Sequence, residues 1–245
     1  AKYDTNGQLV KEYPIRNEHG GASISGFCES RNHEIIISVW NGRVYHLDKE
    51  KDEFIPYPDK MRSRNPTVMV QDNEQDYFWL ATWGDGVVRF DPSAPGDSMF
   101  VYSEIPVNAA GEEDGLILSL AQDDKLGYIW LTTGHDFMAL QIQPDRTLKQ
   151  LKFPAGLLPV NHMLVEVLKG KECLWVSAFD RPSFILHLMD NITKDYALPA
   201  LADRVNRSPA IMALCDDGDG MMWMMQERTG LALYDLKQDK VKIYS

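Results

Sequence analysis

The chain is poor in basic residues, in cysteine and in uninterrupted apolar runs, and each shortage removes a class of function. Lysine and arginine number 25 against 36 aspartate and glutamate residues, a formal net charge of −11. A protein that tracks phosphates needs a basic stripe, so no nucleic-acid partner is expected. The acidity is spread along the chain and reads as a solubility feature. Three cysteines, Cys28, Cys173 and Cys215, make neither a disulfide framework nor a CxxC pair. No apolar run approaches the roughly 18 residues a spanning helix needs, so direct membrane insertion of this segment is not expected. The opening residues AKYDTNGQLV contain no basic-then-apolar targeting segment.

Catalytic and metal motifs are equally scarce. The six histidines show no HxH or HExxH spacing, which leaves zinc without support. No Gly-x-Ser-x-Gly elbow occurs, and no Cys/His pair has a recognisable context. The stretch CDDGDGMMWMMQE invites a calcium-loop reading, with Asp216 and Glu227 eleven apart. Its third and fifth positions are Gly218 and Gly220, and the turn glycine is replaced by Met221, so it reads as a hairpin turn. A carboxylate pair of the glycosidase kind is not singled out by any spacing. The expectation is a protein with no metal, no cofactor and no enzymatic activity.

What the chain does have is repetition. YFWLATWGDGVVRFDP (77–92) recurs as YIWLTTGHDFMALQI (128–142), CLWVSAFDRPSFILHLMD (173–190) and MMWMMQERTGLALYD (221–235). A degenerate copy, IIISVWNGRVYHLD, covers 35–48. Anchored on Ile36, Trp79, Trp130, Trp175 and Trp223, the copies are 43, 51, 45 and 48 residues apart. Self-similarity at about 40–50 residues points to stacked repeat architectures. Each copy has an apolar segment upstream and another downstream, giving four short strands per unit with period-2 alternation and no confident amphipathic helix.

The fold class expected is therefore all-β, a β-propeller of four-stranded antiparallel blades. The blades fall at about 22–59, 66–103, 116–153, 162–198 and 210–245, within a single propeller segment spanning 1–245. Residues 2–14 align without gaps on 233–245, Tyr3-Asp4 upon Tyr234-Asp235, so 1–14 read as the outer strand pair of a further blade. Five full blades plus a half suggest a piece of a larger propeller, because an outer pair alone leaves an inner strand missing. Trp79, Trp130, Trp175 and Trp223 are expected in the core, where every blade presents the same large contact to its neighbour. Cys28 and Cys215, in the register of Val70, Ala121 and Val167, read as small buried residues of the first strand.

The unit resembles the two-component regulator propeller repeat, most clearly in DNEQDYFWLATWGDGVVRFDP and DDKLGYIWLTTGHDFMALQI. GLLPVN (156–161) is similar to that family's inter-blade linker. Ile36 in place of Trp, and the extra residues around DRPSF, depart from the pattern. WD40, Kelch and sialidase-type repeats fit less well, since no Trp-Asp, no repeated double glycine and no Ser-x-Asp-x-Gly-x-Thr box occurs. The resemblance implies the periplasmic sensor region of a hybrid two-component system, binding an oligosaccharide and signalling to a histidine kinase. It also implies a sister propeller or sandwich domain of the same polypeptide as partner, with a homodimer as a further expectation. Two other readings stand beside it, a protein-interaction scaffold and, less favoured, a propeller hydrolase or lyase.

Binding is expected on the loops. The turns between second and third strands share one blade face with the long inter-blade connections. By that symmetry Trp40, Trp83, Asp85, His135, Asp180, Arg181 and Arg228 form the candidate ligand-binding set. Trp40 and Trp83 lie just past the second strand in the same register, and a flat aromatic face beside charged groups suits a sugar ring.

Overall fold

The computed structural model describes residues 1–15, 20, 23–40, 43–58, 61–62, 65–108, 110–123, 125–134, 136–151, 166–170, 173–177, 184–189, 192–197, 211–217, 219–226, 230–235, 237–238 and 240–244. The first full sheet holds β3 (Ile24–Glu29), β4 (Ile35–Val39), β5 (Val44–Asp48) and β6 (Glu53–Pro56). The second holds β7 (Pro66–Gln71), β8 (Phe78–Thr82), β9 (Val87–Phe90) and β10 (Phe100–Tyr102). The third holds β11 (Ile117–Gln122), β12 (Tyr128–Thr133), β13 (Phe137–Ile142) and β14 (Leu148–Gln150). β15 (Glu166–Gly170), β16 (Cys173–Ser177), β17 (Phe184–Met189) and β18 (Ile192–Ala197) make the fourth. β19 (Ile211–Asp216), β20 (Met221–Gln226), β21 (Gly230–Asp235) and β22 (Lys240–Tyr244) make the fifth. Each is an antiparallel meander in chain order. A separate two-stranded sheet pairs β1 (Lys2–Tyr3) with β2 (Leu9–Lys11). The single helical element among the described residues is a 3-10 turn at Gly96–Ser98.

The first strands β3, β7, β11, β15 and β19 lie against one another in succession, so the sheets stack around a common inner edge as propeller blades do. Period-2 alternation gives the second sheet two apolar faces, one toward the first sheet and one toward the third. Phe78, Leu80, Val88 and Phe90 pack back onto Ile36 and Val44 of the first sheet. Trp79, Ala81 and Val87 pack forward onto Ile117, Leu120, Ile129 and Leu131 of the third. All of these are buried. Burial of this kind contributes about 1.5–3 kcal/mol per large side chain and occurs at both the first–second and the second–third junctions, so stability there is built sheet by sheet.

Turn chemistry repeats with the sheets. The aspartate that closes the third strand uses one oxygen to accept two backbone N–H groups of the turn: Glu50 and Lys51 on Asp48, Lys237 and Gln238 on Asp235. In the leading hairpin Asp4 Oδ1 likewise accepts two backbone N–H groups, those of Asn6 and Gln8. Gln71 Oε1 accepts the Arg31 N–H at 2.9 Å, and Gln122 Oε1 accepts the Asn73 N–H at 3.0 Å. These two staples tie the first turn of one sheet to the first strand of the next.

Two expectations about the first strand are corrected. Trp175 pairs with Leu168, so Leu168, and not Val167, shares the register of Val70, Ala121 and the two cysteines. Cys215 is exposed and Cys28 half-buried. Cys215 lies on the face of the fifth sheet that would meet a following sheet, and in the described residues no sheet covers it.

Candidate functional site

The stretch Trp83-Gly84-Asp85-Gly86 is held by its own turn and by the neighbouring inter-sheet connection. Thr82 Oγ1 donates to the Gly86 carbonyl at 2.8 Å and accepts the Asp85 N–H at 3.1 Å. Thr133 repeats the device with Asp136, donating to its carbonyl at 3.2 Å and accepting its N–H at 2.8 Å. Such a turn reverses the chain between strands two and three in only a few residues. Gly84 and Gly86 adopt φ of 119° and 69°, which side-chain-bearing residues avoid.

The connections before and after the second sheet then lock the turn from outside. Gly84 N–H donates to the Gly115 carbonyl at 2.8 Å, and Trp83 N–H donates to the Asn65 carbonyl at 2.8 Å. Trp83 also forms an antiparallel bridge with Leu116. A methyl group at Gly115 would lie 2.4 Å from the Gly84 carbonyl oxygen, so the two backbones touch where glycine alone fits. Second-to-third strand turns and inter-sheet connections thus share one face.

On this scaffold Trp83 stands 50% exposed. The half-buried Trp40 meets it edge-to-face, with ring centroids 5.3 Å apart and planes at 82°. Arg62 Nη2 lies 3.3 Å from Asp85 Oδ1, and the Arg62 guanidinium sits 4.2 Å from the centroid of the Tyr102 ring. The Tyr102 hydroxyl accepts the Arg62 N–H. An exposed indole, a carboxylate and a guanidinium therefore converge at the rim. The stacked Tyr102 ring limits the conformations open to Arg62, so a ligand would meet a partly ordered cation.

Of the predicted set, Trp40, Trp83 and Asp85 are brought together, whereas His135, Asp180, Arg181 and Arg228 lie outside the described residues. Arg62 and Tyr102 join the site without having been singled out. Arg62 lies on the connection between the first and second sheets, and its pairing with Asp85 depends on a loop path that no periodicity encodes. Trp79 and Trp130 are core as expected, at 2 % exposure or less. Trp223 is half-buried and packs against Tyr244, while the side chain of Trp175 is outside the description.

The opposite face is a structural latch. Arg146 Nη2 pairs with Glu74 Oε2 at 2.8 Å, joining the second and third sheets. Beside it, burial first and the Asp72 carboxylate next push the Tyr77 phenol up to about 12, which keeps it protonated and neutral at neutral pH. In the calcium-loop stretch, Asp217 Oδ1 accepts the Asp219 and Met221 N–H groups, as a hairpin turn does. Among the described residues no group of three His, Cys, Asp or Glu side chains converges to hold a metal ion. Among them, too, no helix is long and apolar enough to cross a membrane.

No family profile matches the chain, and no curated protein does. Solved structures do. The chain is similar to the extracellular domain of the hybrid two-component system BT4673 of B. thetaiotaomicron, with 14% identity and a TM-score of 0.65. That match covers 94% of this chain and 28% of the BT4673 chain, so this sequence spans under a third of its relative. Virginiamycin B lyase of Staphylococcus aureus matches with 10% identity and a TM-score of 0.67, over 94% of this chain and 72% of its own. The Cps50 (Swd1) propeller domain of Myceliophteria thermophila matches with 13% identity and a TM-score of 0.68, over 98% and 77%. At these identities the likeness carries the β-propeller fold alone.

Proposed function

We propose that the chain is a non-catalytic, ligand-sensing propeller of a hybrid two-component system, working in the periplasm. Its ligand is an oligosaccharide derived from a polysaccharide. The observation that carries this reading is Trp83, half-exposed on a braced turn and set against Trp40, with Asp85 and Arg62 at its rim. A sugar presents a flat patch of C–H groups to an indole face while its hydroxyls take charge-assisted bonds from a carboxylate and a guanidinium. The resemblance of the repeat, and the presence of extracellular two-component domains among the structural neighbours, support the cellular role. Occupancy would be relayed to a histidine kinase through a sister propeller or sandwich domain.

Calorimetry with a panel of neutral and acidic oligosaccharides tests the reading. Saturable binding that Trp83→Ala weakens, with the sugar recovered uncleaved after prolonged incubation, supports it. Failure of the whole panel, or binding indifferent to Trp83, overturns it. Cleavage of a bound sugar would favour a propeller lyase or hydrolase instead.

A further inference from the structure

On the face that bears Trp83 stand two arginines whose charge the protein hardly answers. The Arg62 side chain is 66% exposed, and its one carboxylate partner is Asp85. They meet through a single Nη2–Oδ1 contact of 3.3 Å, longer than the roughly 2.7–2.9 Å of a close charged pair. The rest of the guanidinium fork meets no acceptor among the described residues. The fork is nevertheless placed, because it lies 4.2 Å from the centroid of the Tyr102 ring and the Tyr102 hydroxyl accepts the Arg62 backbone N–H. Arg43 stands in the turn that carries Trp40. It is half-buried, and its guanidinium has neither hydrogen bond nor ion pair among the described residues. A partly desolvated cation left unpaired is costly, and an anionic group brought to it relieves that cost. Glu104, Glu112 and Glu113, on the connection beside Trp83, are exposed and pair with neither arginine.

We propose that the oligosaccharide is acidic and that Arg62 selects it, its open fork taking the carboxylate of a uronic acid unit stacked on Trp83. This rests on the sugar-binding reading of the face and narrows it. A planar carboxylate accepts two parallel N–H bonds from a guanidinium, which a hydroxyl cannot do. Because Tyr102 already holds the fork, little freedom is lost when the carboxylate arrives. Asp85, 27% exposed, keeps its second oxygen for a hydroxyl of the same sugar. Arg43 adds a second cation to this face. The chain as a whole carries a net charge of −11, so long-range attraction does not favour an acidic ligand. Recognition therefore depends on short-range pairing with the fork.

Calorimetry on the full chain with matched pairs of ligands tests this. The probes are oligouronates from pectin, alginate and glucuronan, each beside its methyl ester, which keeps the ring and removes the charge. One acid at least is expected to bind about tenfold to a hundredfold more tightly than its ester. Arg62→Gln should erase that preference with little change in melting temperature, moving the ester's affinity far less than the acid's. Arg62→Lys, which keeps the charge without the fork, should restore only part of it. Trp83→Ala should weaken acid and ester alike. Equal affinity for acid and ester, lost in Trp83→Ala, overturns the proposal and leaves the sugar-sensing reading standing. A preference for the acid that survives Arg62→Gln overturns it too, as does tighter binding of sulfated oligosaccharides than of any uronate. Failure of acidic and neutral sugars together overturns both readings.

Discussion

The indole N–H of Trp79 donates to Asp72 Oδ2 at 2.8 Å, seven residues upstream across the first hairpin, and both side chains are buried. The other oxygen of Asp72 accepts the Glu74 and Gln75 N–H groups, so one carboxylate anchors the core tryptophan and caps the turn. Asp123 does the same for Trp130, at 2.6 Å, and for Lys125 and Leu126. Asp72→Ala strands a buried indole N–H and uncaps the turn, an expected cost of about 2–4 kcal/mol. Urea titration measures it, and Gln75→Ala, on an exposed side chain, should stay within about 0.5 kcal/mol of the parent.

That aspartate shows what the sequence discloses and what it hides. The tryptophan stripe is legible because each sheet has the same neighbour and the same large area to bury. The Asp-x6-Trp spacing is also on the page, at 72/79, 123/130 and again at 216/223, yet an acid in a turn reads as solvated until its partner is seen. Cys215 shows the opposite failure. Its strand position is legible, but its burial depends on a covering sheet that the described residues lack. The Arg62–Asp85 pair lies between these cases, since the two residues sit on loops tied to each other by the Trp83–Asn65 backbone bond and by no hydrophobic period.

Gly115→Ala is therefore expected to act on the site from outside it. The added methyl meets backbone at 2.4 Å, not a side chain that swings away, so the turn or the connection must shift. An overpacking cost of about 1–3 kcal/mol is expected, together with a changed environment for Trp83. Melting temperature and tryptophan fluorescence follow the two effects. Gly111→Ala, which has open space around it but a φ of 86°, should cost some stability through strain and leave Trp83 unmoved.

Acid should loosen the leading hairpin first. Hydrogen bonds from Tyr13 and then Lys11 hold the Asp52 carboxyl below its ordinary range. A group depressed in the folded state contributes stability above its unfolded pKa and loses it as pH falls through the folded value. The contribution is thus complete at neutral pH and fades below about pH 4. Hydrogen exchange should show β1–β2 losing protection between pH 5 and 3 before β7–β9 does, on the order of the range carboxylates titrate. Asp52→Asn should remove the acid-side step and give the looser hairpin at every pH.

Trp79 and Trp83 provide the sharpest contrast, since four residues separate a core side chain from a rim one. Trp79→Ala removes a side chain 1% exposed between two sheets and orphans Asp72, for an expected loss of roughly 3–5 kcal/mol of stability. Trp83→Ala loses one edge-to-face contact with Trp40, about 0.5–1.5 kcal/mol, and leaves the backbone brace intact. Its effect on oligosaccharide affinity should be larger than its effect on stability, about 1–3 kcal/mol by analogy with bases stacked on aromatic side chains. Calorimetric unfolding and titration on the two variants separate the roles. If Trp83→Ala proved the more destabilising of the pair while binding stayed unchanged, Trp83 would be a packing residue and the rim would lose its platform.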